Sequence, residues 1–391
     1  MRIAFVTYEY PPRVIGGAGV YADNLVRNVV GMGHEVTVFT PAFHDRGDRL
    51  SQGPAKVVEV DVKDRMIVTM TPPLLKIGRE ISGKAGKKRF DVIHVNGAAN
   101  FGLLDRKNGP PVVATVHHLA REDLSDGKLR FADRIRAFNS EVGFVIPWLE
   151  WFGIHLFDRF IAVSSRTKAS LLGLYGIDPE RIDVIWNGIS ADASPRTRMS
   201  RASLRKEFAL PDVPILLFVG RIDDRRKRLD LMIKTLAEVE KQLDAHLLVV
   251  GRGSTMFAEQ LAISLGILDK IHFAGFLTDE ALWKAYALCD AHVCVSSLEG
   301  FGLTIGEAIC ARRPVITTDV GIAREMKHPL LTVVEKSDAH ALAVAIINVL
   351  GESEESSDVV EPVAVCNEFS WARSARETVA SYERAIAGRN R

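Results

Sequence analysis

Two glutamates, Glu299 and Glu307, stand with seven residues between them in VSSLEGFGLTIGEAICARRPVITTD, a stretch that reads as strand, loop, helix and strand. The helix opens at Gly300-Phe301-Gly302-Leu303, so its first backbone N–H groups form a nest for an anion. Glu307 lies among apolar neighbours in LTIGEAIC, where an ionised carboxylate is costly without partners. It therefore faces a polar ligand or, alternatively, complements the helix dipole from the first turn. Upstream, FVGRIDDRRKRLDLMI runs from a strand into Gly220-Arg221, with Lys227 six residues further on. A planar guanidinium fork and a point-charge ammonium suit the neutralisation of a diphosphate leaving group. Arg225, Arg226 and Arg228 read as a solvated basic turn, and Asp223-Asp224 alone is no metal signal.

In the first half, VVATVHH puts His117 and His118 at the carboxyl end of a strand, where a doubly wound fold presents reactive groups; a strand-end histidine can equally be structural. PPRVIGGAGVYA sets Gly16 and Gly17 before a helix, a place where free N–H groups can meet a phosphate, or a flexible connection that needs positive φ. Its Gly17-x-Gly19-x-x-Ala22 spelling matches a dinucleotide fingerprint and raises the alternative of a nicotinamide dehydrogenase. Against it, Glu9 through Ile15 intervene after the strand, and EVTVFTP ends without the acidic residue that would hold a ribose.

These groups are positioned by short β-branched runs alternating with helical patterns, the signature of parallel sheets wrapped by helices. IAFVTY, EVTVFT, VVEVDV, DVIHVN, VVATVHH, FIAVSS and RIDVIWNG make one doubly wound half; ILLFVG, HLLVVG, IHFAG, AHVCVSS and PVITTD make another. In the first helix, Val20, Leu25, Val29 and Val30 can share one face. Between the halves, SADASPRTRMSRASLRKEFALPDVP reads as a linker with a short basic helix. The expected domains are 1–195 and 205–368, with a terminal helix over 369–391 anchored by Trp371.

Composition is that of an ordinary globular protein: 391 residues, 47% hydrophobic and 25% charged. Lys and Arg total 50 against 49 Asp and Glu, so no global field draws the chain to nucleic acid or an anionic membrane. Cys289, Cys294, Cys310 and Cys366 show no C-x-x-C or His spacing for a metal, which favours a reducing cytoplasmic setting. GFVIPWLEWFGIHLF is too interrupted and too short for a membrane span.

Taken in order, the GGAG loop, GHEVTVFT, TVH, FIAVSS, RIDVIWNG, FVGR with Lys227, and EGFGLTIGEA resemble the retaining glycosyltransferases of family 4 over nearly the whole chain. The resemblance implies the GT-B fold, an α/β arrangement of two Rossmann-like doubly wound parallel-sheet domains facing each other across a cleft. It implies transfer of a hexose-type sugar from a UDP- or GDP-sugar, with retention and without a metal or other cofactor. Glu307 would bind the donor ribose, and Glu299 with the Gly300, Phe301, Gly302 and Leu303 backbone would hold sugar and phosphates. Arg221 and Lys227 would stabilise the leaving diphosphate, helped by Gly16 and Gly17, and His117 would lie at the reacting centre with Glu299. The terminal helix would cross back to the first domain. Two departures stand out: Gly321-Ile322 where the family often pairs glycines, and Lys227-Arg228 where it usually has Lys-Gly.

The acceptor is a glycan, a lipid-linked or a small-molecule hydroxyl. The basic stretch 74–90, with Lys76, Arg79, Lys84, Lys87, Lys88 and Arg89 among Leu74, Leu75, Ile77 and Ile81, reads as a solvated helix face or as a peripheral contact with the inner face of a membrane. A nucleotide-binding relative without transfer activity is the reading from another functional class.

Overall fold

Most of the strand-like runs in the sequence are rich in apolar residues, and such runs belong in a parallel sheet covered on both faces. The computed structural model describes residues 1–12, 14, 16–42, 53–61, 89–97, 109–119, 121–122, 150–151, 153–190, 199–352, 359–360 and 369–389. Strands β1 (Arg2–Val6), β2 (Glu35–Ala42), β3 (Lys56–Asp61), β4 (Val92–Asn96), β5 (Val112–Val116), β6 (Arg159–Ala162) and β7 (Ile182–Val184) form one sheet in the order β3-β2-β1-β4-β5-β6-β7. A second sheet has the order β11-β10-β9-β12-β13-β14. Its strands are β9 (Ile215–Val219), β10 (His246–Val250), β11 (Ile271–Gly275), β12 (Ala291–Cys294), β13 (Val315–Thr318) and β14 (Leu331–Val334). Every pairing in both sheets is parallel. Strand order reverses at β1/β4 and at β9/β12, so each sheet is doubly wound. The short strands β8 (Met199–Ser200) and β15 (Val359–Val360) pair antiparallel.

The strand β14 is absent from the sequence reading. It is a half-exposed edge strand, so LTVV never gains the long apolar run that marks its buried neighbours. The short helix Arg201–Glu207 matches the basic helix expected in the linker.

Two compact units divide the chain: Met1–Gly188 with Ser370–Arg391, and Ile189–Phe369. The division falls at Gly188/Ile189, at the start of the expected linker, which opens at Ser190. Ile189 donates its N–H to the Phe369 carbonyl at 2.9 Å and packs its side chain on Gly306, both in the second unit.

In the first unit, the helix Gly17–Gly31 buries Tyr21, Ala22, Leu25, Val26 and Val29. The buried face is thus Tyr21-Leu25-Val29 with Ala22 and Val26, whereas Val20, expected on that face, is exposed. That stripe packs with Trp371, Ala375, Val379, Tyr382 and Ala385 of the helix Trp371–Arg389. Burial of each large apolar side chain contributes roughly 1.5–3 kcal/mol. Polar groups are matched beneath it. Tyr21 Oη meets Thr115 Oγ1 at 2.8 Å, Thr115 Oγ1 meets His94 Nε2 at 3.0 Å, and His94 Nδ1 meets Tyr382 Oη at 2.5 Å, all buried. Asp183 accepts from Ser381 Oγ at 2.7 Å and pairs with Arg159.

Of the segment 143–157, Ile154 and Phe157 are buried in the core and Glu150 accepts from the Tyr175 hydroxyl, whereas Trp151 is exposed. Trp148 and Phe152 lie outside the described residues, as does the basic stretch 74–90 apart from Arg89 and Phe90. Cys289 and Cys294 are buried thiols, but Cys310 is disulfide-bonded, which departs from the all-thiol expectation. Spacing along the chain reports neighbours in sequence, whereas a disulfide depends on the distance between two cysteines in the fold. No helix among the described residues is long and apolar enough to cross a membrane.

Two stability predictions follow from this packing. A Cβ on Gly188 would lie 2.3 Å from the Trp371 ring and 2.5 Å from its backbone nitrogen. Gly188→Ala should therefore lower the melting temperature by several degrees, through a cost of roughly 1–3 kcal/mol for overpacking. His94 is pushed down to about 3 by burial and by His117, so it is neutral in the folded unit and protonates on unfolding below the usual ~6.5. Its contribution to stability is complete above that value and is lost as pH falls towards about 3. In thermal melts from pH 7 to pH 4, the acid limb should be shallower in His94→Gln than in the wild type; equal slopes would remove His94 from the account.

Candidate active site

In the second unit, the loops leaving β9 and β12, the two strands at the reversal, carry the candidate donor residues. Gly220 and Arg221 follow β9. The stem of Lys227 folds back over Gly220, where a Cβ would come within 3.1 Å of Lys227 Cδ. Lys227 Nζ donates to Glu299 Oε1 at 2.6 Å, and Ser296 Oγ donates to the same oxygen at 2.7 Å. The Lys227 and Glu299 side chains are 22% and 14% exposed, so the pair is only weakly screened by solvent ions. Burial opposes charge on Lys227, but the Glu299 carboxylate outweighs it and raises the ammonium pKa. The two loops are also sewn together by backbone: the Ser297 N–H donates to the Arg226 carbonyl at 2.8 Å.

Arg221 is half-exposed and donates to Asp224 Oδ2 at 2.5 Å. Asp224 also accepts from Arg226. Burial would raise the Asp224 pKa, but its bonds to Arg226 and Arg221 hold it well below the carboxylate range. Arg226, taken from sequence as solvated, thus helps fix the loop that presents Arg221.

After Glu299 the backbone turns through Gly302, whose φ of 92° lies in the left-handed region, and the helix Leu303–Cys310 begins. The Phe301 ring is buried edge-on against Phe369, so its side chain is core and its backbone is what the loop can offer a ligand. Behind the loop, the Ile322 N–H donates to the Phe301 carbonyl at 2.9 Å. A Cβ on Gly321, at φ 54°, would lie 2.1 Å from that oxygen. Gly321-Ile322, the departure from the paired glycine, therefore props the donor loop.

Glu307 is the fifth residue of its helix, beyond the first turn, which removes the reading as a first-turn dipole complement. Its Oε2 accepts from the buried Tyr286 hydroxyl at 2.6 Å, and burial raises its pKa even though that bond works the other way. Tyr286 and Ser296 escaped the sequence reading. Tyr286 fixes Glu307 from the preceding helix, and Ser296 fixes Glu299 from three residues earlier in the same loop.

In the first unit, Gly16 caps the helix Gly17–Gly31, but its N–H already donates to Glu9 Oε2 at 2.9 Å. Glu9, from the loop after β1, occupies the end of the helix assigned to a phosphate; this too was not foreseen. His117 follows β5 and meets Asn96 Oδ1, at the end of β4, through Nε2 at 2.7 Å. Asn96 Nδ2 reaches Thr7 Oγ1 and the Ala18 carbonyl, each at 3.0 Å, so one side chain links His117 to the glycine-loop helix. Burial, with His118 adding to it, pushes His117 down to about 3, so the ring is neutral at pH 7. Among the described residues no group of three or more His, Cys, Asp or Glu could hold a metal ion.

The model of Glycosyltransferase Family 4 matches residues 15–193, and that of Glycosyl transferases group 1 matches residues 200–362. The MMP alpha-(1->4)-mannosyltransferase of Mycolicibacterium hassiacum is 28% identical over 442 residues, covering 99% of each chain. Sucrose-phosphate synthase from Thermosynechococcus elongatus has a similar fold, with a TM-score of 0.72 at 21% identity over 100% of this chain and 97% of that one. An Anabaena protein crystallised with UDP and glucose gives 0.69 at 18% identity over 99% of each chain. Two doubly wound parallel-sheet units of the GT-B type agree with these likenesses. The chain belongs to the family 4 glycosyltransferases, enzymes that draw on a nucleotide-sugar donor.

Proposed function

We propose that the chain is a retaining hexosyltransferase that moves a sugar from a UDP- or GDP-sugar to a hydroxyl of a glycan, a lipid-linked or a small-molecule acceptor. The observation that carries this reading is the Lys227–Glu299 pair at the carboxyl ends of β9 and β12, at the head of the helix Leu303–Cys310. Glu307, steadied by Tyr286, takes the ribose hydroxyls; a charged acceptor makes hydrogen bonds worth about 1.5–3 kcal/mol each. The Gly300–Leu303 backbone and Arg221 receive the diphosphate, and Lys227 exchanges part of its pairing with Glu299 for the developing negative charge. Gly17 adds backbone N–H groups to the same task, and Gly16 joins it when Glu9 moves aside. Glu299 and His117 hold the sugar.

Retention fits a carboxylate whose Oε1 already accepts two hydrogen bonds, from Lys227 and Ser296. Such an oxygen is a poor nucleophile and a good electrostatic partner for a short-lived oxocarbenium-like ion pair. Arg221 and Lys227 can supply the positive charge that a developing diphosphate requires, so we assign the reaction no metal.

A thermal-shift titration against UDP, GDP, ADP and NAD without added metal tests the donor assignment. One nucleoside diphosphate at about a hundred times its dissociation constant should add roughly 2.7 kcal/mol and raise the melting temperature by a few degrees. A response to NAD alone would overturn the reading. With the donor in hand, Glu307→Ala should weaken nucleotide binding by about ten- to a hundredfold, and Tyr286→Phe by less. Lys227→Ala should lower kcat/KM by about a hundredfold, and Glu299→Ala and His117→Ala should lower turnover by about tenfold or more. Transfer at the wild-type rate by the Glu299 and His117 variants would show the site to be misassigned. The anomeric configuration of the product, read by NMR, decides retention.

A further inference from the structure

Three hydrogen bonds around Asn96 settle which way its amide points. Asn96 Nδ2 lies 3.0 Å from the Ala18 carbonyl oxygen, an atom that can only accept. It also lies 3.0 Å from Thr7 Oγ1, whose own proton goes to the Glu9 carbonyl at 2.8 Å, leaving a lone pair to accept. Both amide hydrogens are thereby spent. Turning the amide over would set Oδ1 against the Ala18 oxygen, two acceptors at hydrogen-bond distance. Asn96 Oδ1 therefore faces His117, and at 2.7 Å it requires a hydrogen on Nε2.

The imidazole plane is held as well. Tyr21 packs edge-on against it, with centroids 4.8 Å apart and planes at 78°. The Tyr21 hydroxyl is itself tied to Thr115 at 2.8 Å. A neutral ring that carries its hydrogen on Nε2 has a bare lone pair on Nδ1. No hydrogen bond to that nitrogen is made among the described residues.

We propose that Asn96 is a positioning residue that fixes His117 as the Nε2–H tautomer, so that His117 offers a bound ligand an accepting Nδ1 and no transferable proton. The ligand group it takes is a hydroxyl acting as donor. This assignment rests on the reading above that His117 meets the donor sugar, and it makes that contact a hydrogen bond from a sugar hydroxyl. It also removes His117 as the acid for the departing diphosphate at neutral pH, since the lone pair facing the ligand has no proton to give. Asn96 does this from the end of β4, while its amide hydrogens hold Thr7 after β1 and Ala18 in the glycine-loop helix. The same side chain thus sets the histidine and the helix relative to one another.

The test is a long-range 1H–15N correlation spectrum of the full chain labelled with 15N-histidine at pH 7, the His117 signals being identified by their loss in His117→Gln. The expected spectrum has a protonated Nε2 and a bare Nδ1. An Nδ1–H ring or an imidazolium would overturn the proposal, whether or not the protein transfers sugar. Asn96→Leu removes the acceptor and should give mixed tautomers, with kcat lower by about tenfold or more and donor KM moved much less. Asn96→Asp keeps an acceptor for Nε2–H and should keep Nε2 protonated, while its second oxygen, now facing the Ala18 carbonyl, gives up the link to the glycine-loop helix. Unchanged tautomer and unchanged kcat in Asn96→Leu would remove Asn96 from the role. The expected tautomer in a wild type that transfers from no sugar nucleotide would support the assignment while sinking the proposed function.

Discussion

In a parallel sheet whose strand order reverses once, the connections leaving the two central strands depart to opposite faces, and the space beyond their carboxyl ends is left open. Both units are built on that constraint, and every candidate residue depends on it. In the first, Thr7 follows β1 and Asn96 ends β4; in the second, Gly220 and Arg221 follow β9, and Ser296 and Glu299 follow β12. The central strands are buried and mostly apolar, and the polar side chains they do carry, His94, Thr115 and His292, each have a hydrogen-bond partner within the chain.

Charge at these strand ends is balanced within the chain. Lys227 is paired with Glu299, and Arg221 with Asp224. A half-buried lysine without a partner would lose its proton or destabilise the loop, and an anionic ligand would then find a neutral amine. Pairing with the Glu299 carboxylate keeps the Lys227 ammonium charged in its partly buried place. The first unit does something similar with Glu9, whose carboxylate accepts from the Gly16 N–H at the helix end.

Supporting residues determine which atom of each functional group is presented. Ser296 and Lys227 converge on Glu299 Oε1, Tyr286 takes Glu307 Oε2, and Asn96 takes His117 Nε2. In each case one atom is committed to the protein, and the supporting residue, except for Lys227, lies outside the motifs that carry the family resemblance.

Strand runs, the doubly wound class, and the EGFGLTIGEA loop with its two glutamates were legible in the sequence because they follow from local pattern: apolar runs, glycines at turns, and charges where burial would forbid them. The strand β14 was not, because an edge strand half in water has no such run. Neither were Tyr286, Ser296, Asn96 and Glu9. Each acts through a hydrogen bond a few ångströms long, and Tyr286 and Asn96 meet partners 21 residues away. The exposure of Val20 on the first helix and the boundary at Gly188 likewise arise from packing between distant segments. Sequence alone determined which residues carry charge, conformational freedom and apolar surface, since those are properties of a residue and its near neighbours. Which oxygen of a glutamate is occupied, and which nitrogen of His117 holds the proton, was decided only when the tertiary structure brought a second donor or acceptor within hydrogen-bond distance.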